Sequence, residues 1–305
     1  MAKVYGFVGK FGSNGSGNGQ FNFGTVSTTL RPGGIAVDAD YIYIADTQNH
    51  RIQVFNRTTF AYVTQFGSYG TGNGQFIRPV DVVVDGSNVF VLDLGVISTP
   101  RVQKFVIATY TYVATASFAS GQVRAMDGDT THVFVLHSTD DLRYYMYTKA
   151  SLLLTNDVSI TSFSYGPTDV AVDSTYVYVN NYDIGSGRRM LKTVGTGTAF
   201  TCAATSGLAV DSNYLYLPSN HRVAANDIST LAFTDYFGAY GDTDGYLNAP
   251  GKLAVYDNKL YVVDTGNSRV QIFDWSDKVA PAAPSGLTLS CAAGKKILVG
   301  WTDNS

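Results

Sequence analysis

Two glycine-rich phrases, FGSNGSGNGQF at 11–21 and FGSYGTGNGQF at 66–76, stand 55 residues apart and differ at two positions. Such a run can cradle a phosphate with backbone amides, hold calcium in a repeating solenoid, or let the chain turn sharply. A phosphate loop needs a lysine and a helix directly after the glycines, and neither follows here. A calcium solenoid needs tandem repeats with regularly placed aspartates, which are also missing. The phrases therefore read as connectors, in which glycine reaches positive φ at low steric cost. Metal chemistry has two other candidates. Four histidines occur, His50, His132, His137 and His221, and a zinc site needs about three ligands converging on one point. Two aspartates, Asp81 and Asp169, recur at one offset of a repeat, and paired carboxylates can hold a cation such as calcium.

The bulk of the chain narrows the choice. Of 305 residues only 15% are charged, against roughly 25% in average soluble chains. Polarity comes instead from Ser, Thr, Asn, Gly and 21 tyrosines, a mixture that suits strands and turns. With 21 Lys and Arg against 24 Asp and Glu, no positive field exists to draw nucleic acid or anionic lipid. Two cysteines, Cys202 and Cys291, do not make a disulfide framework. No apolar run approaches the 18 or so residues that span a bilayer, so membrane insertion is not expected. The start, MAKVYGFVGKFG, lacks the apolar core of a signal peptide and reads as a strand entered abruptly, as in a fragment of a longer gene.

The elements that position these residues come from internal repetition. LRPGGIAVDADYIYIAD, IRPVDVVVDGSNVFVLD, QVRAMDGDTTHVFVLH, GPTDVAVDSTYVYVNN, SGLAVDSNYLYLPS and PGKLAVYDNKLYVVD are six versions of one pattern. Anchored on Asp38, Asp85, Asp127, Asp173, Asp211 and Tyr256, they recur with a mean period of about 44 residues. Each copy holds four short runs alternating at period two and bounded by Gly, Asn and Asp, the pattern of half-buried strands. Four antiparallel strands per period of this length predict an all-β, six-bladed propeller over residues 1–276. Small residues two before each anchor, Ala36, Val83, Ala125, Ala171, Ala209 and Ala254, mark the innermost strands. The last copy, ending at RVQIFDW, lacks a fourth strand, and residues 3–12 have the character of that strand. They are expected to close the sixth blade and cover its edge.

This topology puts the loops joining fourth to first strands, and second to third strands, on one face around the channel mouth. Arg31, Arg78, Asp81, Arg124, Asp169 and Lys252 stand before or at the start of the inner strands and are expected to rim it. Asp81 and Asp169 either face the channel, or hydrogen-bond neighbouring backbone or pair with Arg124 and Lys252. Gln48, Tyr69 and Tyr240 are placed at the loop tops. The four histidines map to turns or strand ends away from the hub, and no Ser-His-Asp grouping is evident.

The stretch GNGQF…RPGGIAVD…YIYIADTQNHRIQVF, residues 17–55, resembles the NHL repeat, as do RPVDVVVD…VFVLD…RVQKF and LAVYDNKLYVVDTGNSRVQIF. The resemblance implies a six-bladed propeller that binds proteins, peptides, RNA or glycans. Asp46, Asn49, His50 and Arg51 match the repeat consensus, as do Asp264, Asn267 and Arg269, with Asp93 and Arg101 at the equivalent places of the second copy. These residues read as a turn between second and third strands, its carboxylate paired with the arginine; His137, Asn181 and Ser219 replace the acid in the middle copies. A Pro/Ala stretch, 277–284, leads into 285–305, which resembles the opening of a fibronectin type III domain with Trp301 on its second strand.

The resulting expectation is a non-catalytic binding or spacer propeller of a modular extracellular, cell-surface or virion protein such as a phage tail. It would recognise a protein or a glycan, with no resident cofactor. An aromatic-rich mouth would favour glycan and a flat polar one a protein. The alternative is a propeller lyase or hydrolase with a metal at the channel mouth.

Overall fold

Runs such as YIYIAD and NVFVLD alternate β-branched and aromatic residues with small ones, and both become strands. In the computed structural model, residues 5–24, 33–95, 99–118, 123–138, 142–160, 167–181, 185–201 and 207–274 are described, with the backbone of 288–292 and 296–300. Six four-stranded antiparallel sheets form, one per sequence copy. Blade 1 comprises Ile35–Val37, Tyr41–Asp46, Arg51–Asn56 and Tyr62–Phe66. Its middle strands are almost wholly buried, while its outer strand alternates half-buried and exposed positions. Between each pair of neighbouring blades lies a separate apolar cluster, so six small cores replace one large one.

The ring closes as the sequence predicts. Gly6–Phe11 pairs antiparallel with Arg269–Asp274, from Gly6 opposite Asp274 to Phe11 opposite Val270. Phe11 then packs on Phe55 of blade 1, with ring centres 4.4 Å apart, so one strand ties the sixth blade to the first.

Blade 3 requires a correction. The turn amide that meets the second strand belongs to Asp129, which bonds the His132 carbonyl at 3.0 Å, as Asp85 bonds Asn88. The anchor is therefore Asp129, two residues beyond the expected Asp127, and the blade spacings become 47, 44, 44, 38 and 45. Asp127, not Ala125, occupies the inner position held by alanine or valine in the other blades, and Ala125 is the equivalent of Asp81. A bulge in both blades shows the equivalence: Val123 and Ala125 face His137 and Leu136, as Pro79 and Asp81 face Asp93 and Leu92.

Of the tail, an antiparallel pair, Thr288–Ala292 with Lys296–Gly300, is described. The fibronectin-like reading of 285–305, including Trp301, otherwise lies outside the described residues, as does Arg31.

Candidate functional site

The glycine phrases are held from beneath by the turn motif. In blade 1, Arg51 Nε donates to Asp46 Oδ2 at 2.8 Å, and its other nitrogens reach the carbonyls of Gly17 and Gln20 and the Gln65 side chain. Gln53 bridges the same loop, accepting from the Gly19 amide at 2.9 Å and donating to the Gln20 carbonyl. Asn49 donates to Asp46 and to the Gly15 carbonyl. Asp46, fully buried, also accepts the Asn22 amide. Gly12 and Gly67 show why these letters are glycine: φ is +97° and +93°, and an added Cβ would fall within 2.4 Å of Phe21 and Phe76 ring atoms.

Blade 2 repeats the scheme with Asp93, Arg101 and Gln103 around residues 71–78. Blade 6 repeats it with Asp264, Asn267, Arg269 and Gln271 around 241–248. That third loop, FGAYGDTDGYL at 237–247, is a glycine phrase that sequence reading missed, because Asp, Thr and Leu replace the diagnostic letters. The glutamines were missed as well, although RIQ, RVQ and RVQ carry them at one offset. In blade 3, where His137 replaces the acid, Arg143 pairs instead with Asp157 on the outer strand at 2.7 Å.

Three consecutive loops, before blades 6, 1 and 2, thus share one geometry. Tyr69 and Tyr240 occupy equivalent sites on two of them, 67% and 68% exposed. Each stands edge-on to a histidine of the neighbouring turn: His50 to Tyr69 at 4.9 Å and His221 to Tyr240 at 4.5 Å. His50 Nδ1 also meets the Ile77 carbonyl at 2.5 Å. Both histidines brace tyrosines. Gln48 sits half-buried over Gly24 in the same ring of turns.

At the hub, the equivalent positions of blades 1 to 6 read Gly34, Asp81, Ala125, Asp169, Gly207 and Lys252. Charged residues alternate with small ones. Lys252 Nζ donates to Asp81 Oδ2 at 2.6 Å and to Asp169 Oδ1, and all three side chains are at most 5% exposed. Each carboxylate also accepts an edge amide of the next blade, Met126 for Asp81 and Leu208 for Asp169. The small residues make room: a Cβ on Gly34 would lie 2.3 Å from the Asp81 Cα. The paired aspartates therefore face a cation, as paired carboxylates should, but the cation is the chain's own lysine.

Burial pushes Asp169 up to about 6 against the pull of Lys252. Burial likewise disfavours the Lys252 charge, yet Asp169 and Asp81 outweigh it and hold the ammonium above the ordinary lysine range. Below the triad runs a channel cavity of about 240 Å³. Asp127 lines it, accepting the Gly128 and Val172 amides at 2.7 Å each, and burial raises its carboxyl to about 7.

Of the other expected rim residues, Arg78 is half-buried beside the mouth, its amide spent on Asp93 and its guanidinium without a hydrogen bond among the described residues. Arg124 is half-buried and engaged in other contacts, and Asp81, Asp169 and Lys252 are the residues brought together. Among the described residues no group of three or more His, Cys, Asp or Glu is placed to hold a metal. No helix among them is long and apolar enough to cross a membrane.

The repeat profile matched by this chain is the NHL repeat, over residues 29–55 and 247–273. Two units match it. They are the units of blades 1 and 6, in which Asp, Asn and Arg of the turn motif are all present. No curated protein matches the chain. Among solved structures it is similar to the computationally designed protein Ika8, with 14% identity over 79% of this chain and 70% of that one, at a TM-score of 0.49.

Proposed function

We propose that this propeller is a non-catalytic binding platform whose partner is a protein docking on the channel-mouth face. NHL propellers serve in general as protein-interaction scaffolds. The observation that carries the reading is the pair of exposed tyrosines, Tyr69 and Tyr240, on loops stapled by buried Asp, Arg and Gln side chains. Tyrosine on a rigid support contributes contact area with little ordering cost, which is why such residues anchor protein interfaces. Around them the Tyr69 loop is Ser, Thr, Asn and Gly, and the Tyr240 loop adds Asp242, Asp244 and the 45% exposed Tyr246, a polar face with aromatic anchors. The mouth carboxylates Asp81 and Asp169 lie buried in the lysine triad, out of reach of sugar hydroxyls. Low charge and abundant hydroxyl side chains fit a modular extracellular or virion protein.

Affinity capture with the wild-type chain, against the Tyr69→Ala/Tyr240→Ala double variant, tests this. A protein retained by the former and weakened at least about tenfold by the latter supports the reading. Equal capture by both, or glycan-array binding that depends on these tyrosines, overturns it.

A further inference from the structure

The face opposite the mouth carries a groove of about 850 Å³ between blades 2, 3 and 4. It adjoins the lower end of the channel, sharing Val84, Gly128 and Val172 with it. Lys149 is in its lining and 6% exposed. The other buried lysines among the described residues each donate twice: Lys252 to two carboxylates, Lys104 to the carbonyls of Lys149 and Ala150. The Lys149 ammonium makes no hydrogen bond among the described residues and lies 5.8 Å from the Phe90 ring centroid. Its stem runs beside Gly128, where a Cβ would lie 3.1 Å from Cε, at the junction of channel and groove. Burial holds its pKa below the usual lysine range, opposed by Asp85, Asp127 and Asp129. Its Nζ is not sealed from solvent, so its donors are open to an acceptor in the groove.

The rest of the lining says what kind of acceptor. Asp85, Asp129 and Asp173 are half-buried, each bonded to its own turn amides, and Asp129 also holds Lys192 at 2.6 Å. Three carboxylates and two ammonium groups share one wall, so an anion or a cation each meets charges of its own sign. A neutral ligand rich in hydroxyls meets no such penalty, because hydroxyl both accepts from Lys149 and donates to the remaining carboxylate lone pairs. Thr130, Ser174 and Thr193 add donors and acceptors, and Met146 and Val172 offer apolar contact for C–H faces. The volume lies within the range of ordinary ligand pockets. We infer that this groove is a second binding site, for a neutral saccharide, with Lys149 as its central donor. It is independent of the protein-docking reading of the opposite face.

The test uses the full chain on an array of neutral and acidic oligosaccharides, followed by titration of a neutral hit. Acylation of Lys149, followed by mass spectrometry with and without the hit, reads the contact in unaltered protein. Expected are binding of a neutral glycan, protection of Lys149, an affinity loss of at least about tenfold in Lys149→Met, and no change in Tyr69→Ala/Tyr240→Ala. An array without neutral hits overturns the site. So does protection of Lys149 only by acidic sugars or inorganic phosphate, or a neutral glycan that leaves Lys149 reactive.

Discussion

Lys252 is the residue on which the hub turns. Removing its charge leaves two carboxylates buried together, and breaking a buried pair in this way costs about 3–5 kcal/mol. Lys252→Met should therefore lower the urea midpoint sharply. Adding Asp81→Asn and Asp169→Asn should restore most of the loss, since each amide keeps an oxygen for Met126 or Leu208. A triple variant no more stable than the single one would refute the triad's role. The titration of Asp127 has a defined sign. Its carboxyl is raised from 3.8 to about 7 in the folded chain, so between these values the folded state holds a proton that the unfolded state has lost. Stability then falls as pH rises from about 4 to about 7 and levels off above. Asp127→Asn should flatten that slope in denaturant titrations across the window; an unchanged slope would place the titration elsewhere.

Strands and loops divide the work between them. Each arginine of the turn motif grips several loop carbonyls at once, as Arg269 does with Asp242, Thr243 and Tyr246. A lysine presents one point charge in place of that fan, so Arg269→Lys should cost about 2 kcal/mol by thermal or urea unfolding. The closing strand makes a different demand. Deleting residues 1–11 uncovers the edge of Arg269–Asp274, and an unpaired edge recruits another chain. The truncated protein should self-associate with concentration in light scattering, while the intact chain does not.

These strands and their closure were legible because period-two alternation and a repeat of about 44 residues leave few alternatives. The register of blade 3 was not. Asp127 and Asp129 lie two residues apart on one face of an alternating run, so either satisfies the pattern, and only the Asp129 turn bond to His132 decides between them. The hub triad was half legible: equivalent offsets flagged Asp81, Asp169 and Lys252, but which charges meet across a ring depends on blade order around the axis. Lys149 gave no sequence signal, since its significance is where the fold sets its ammonium, in the groove with no hydrogen bond among the described residues.

The whole molecule is a ring, and a ring behaves unlike an open array. In a solenoid each repeat touches only its neighbours and the ends fray first. Here the sixth blade borrows Gly6–Phe11 from the start of the chain, and Phe11 packs onto the first blade, so no blade is terminal. Lys252, Asp81 and Asp169 further tie alternate blades 6, 2 and 4 across the axis, linking blades that share no apolar cluster. Losing any blade opens two apolar clusters and, for an even-numbered blade, unpairs a buried charge as well. Partial unfolding is thereby made costly, and one concerted transition is expected despite a length at which intermediates become common. Far-ultraviolet dichroism and tyrosine fluorescence should trace a single urea curve in the intact chain. With residues 1–11 removed, the same probes should separate, because blades 6 and 1 become ends. Coincident curves in the truncated protein would mean that the axis, not the closing strand, holds the ring together, and Lys252→Met in that background should then be what splits them.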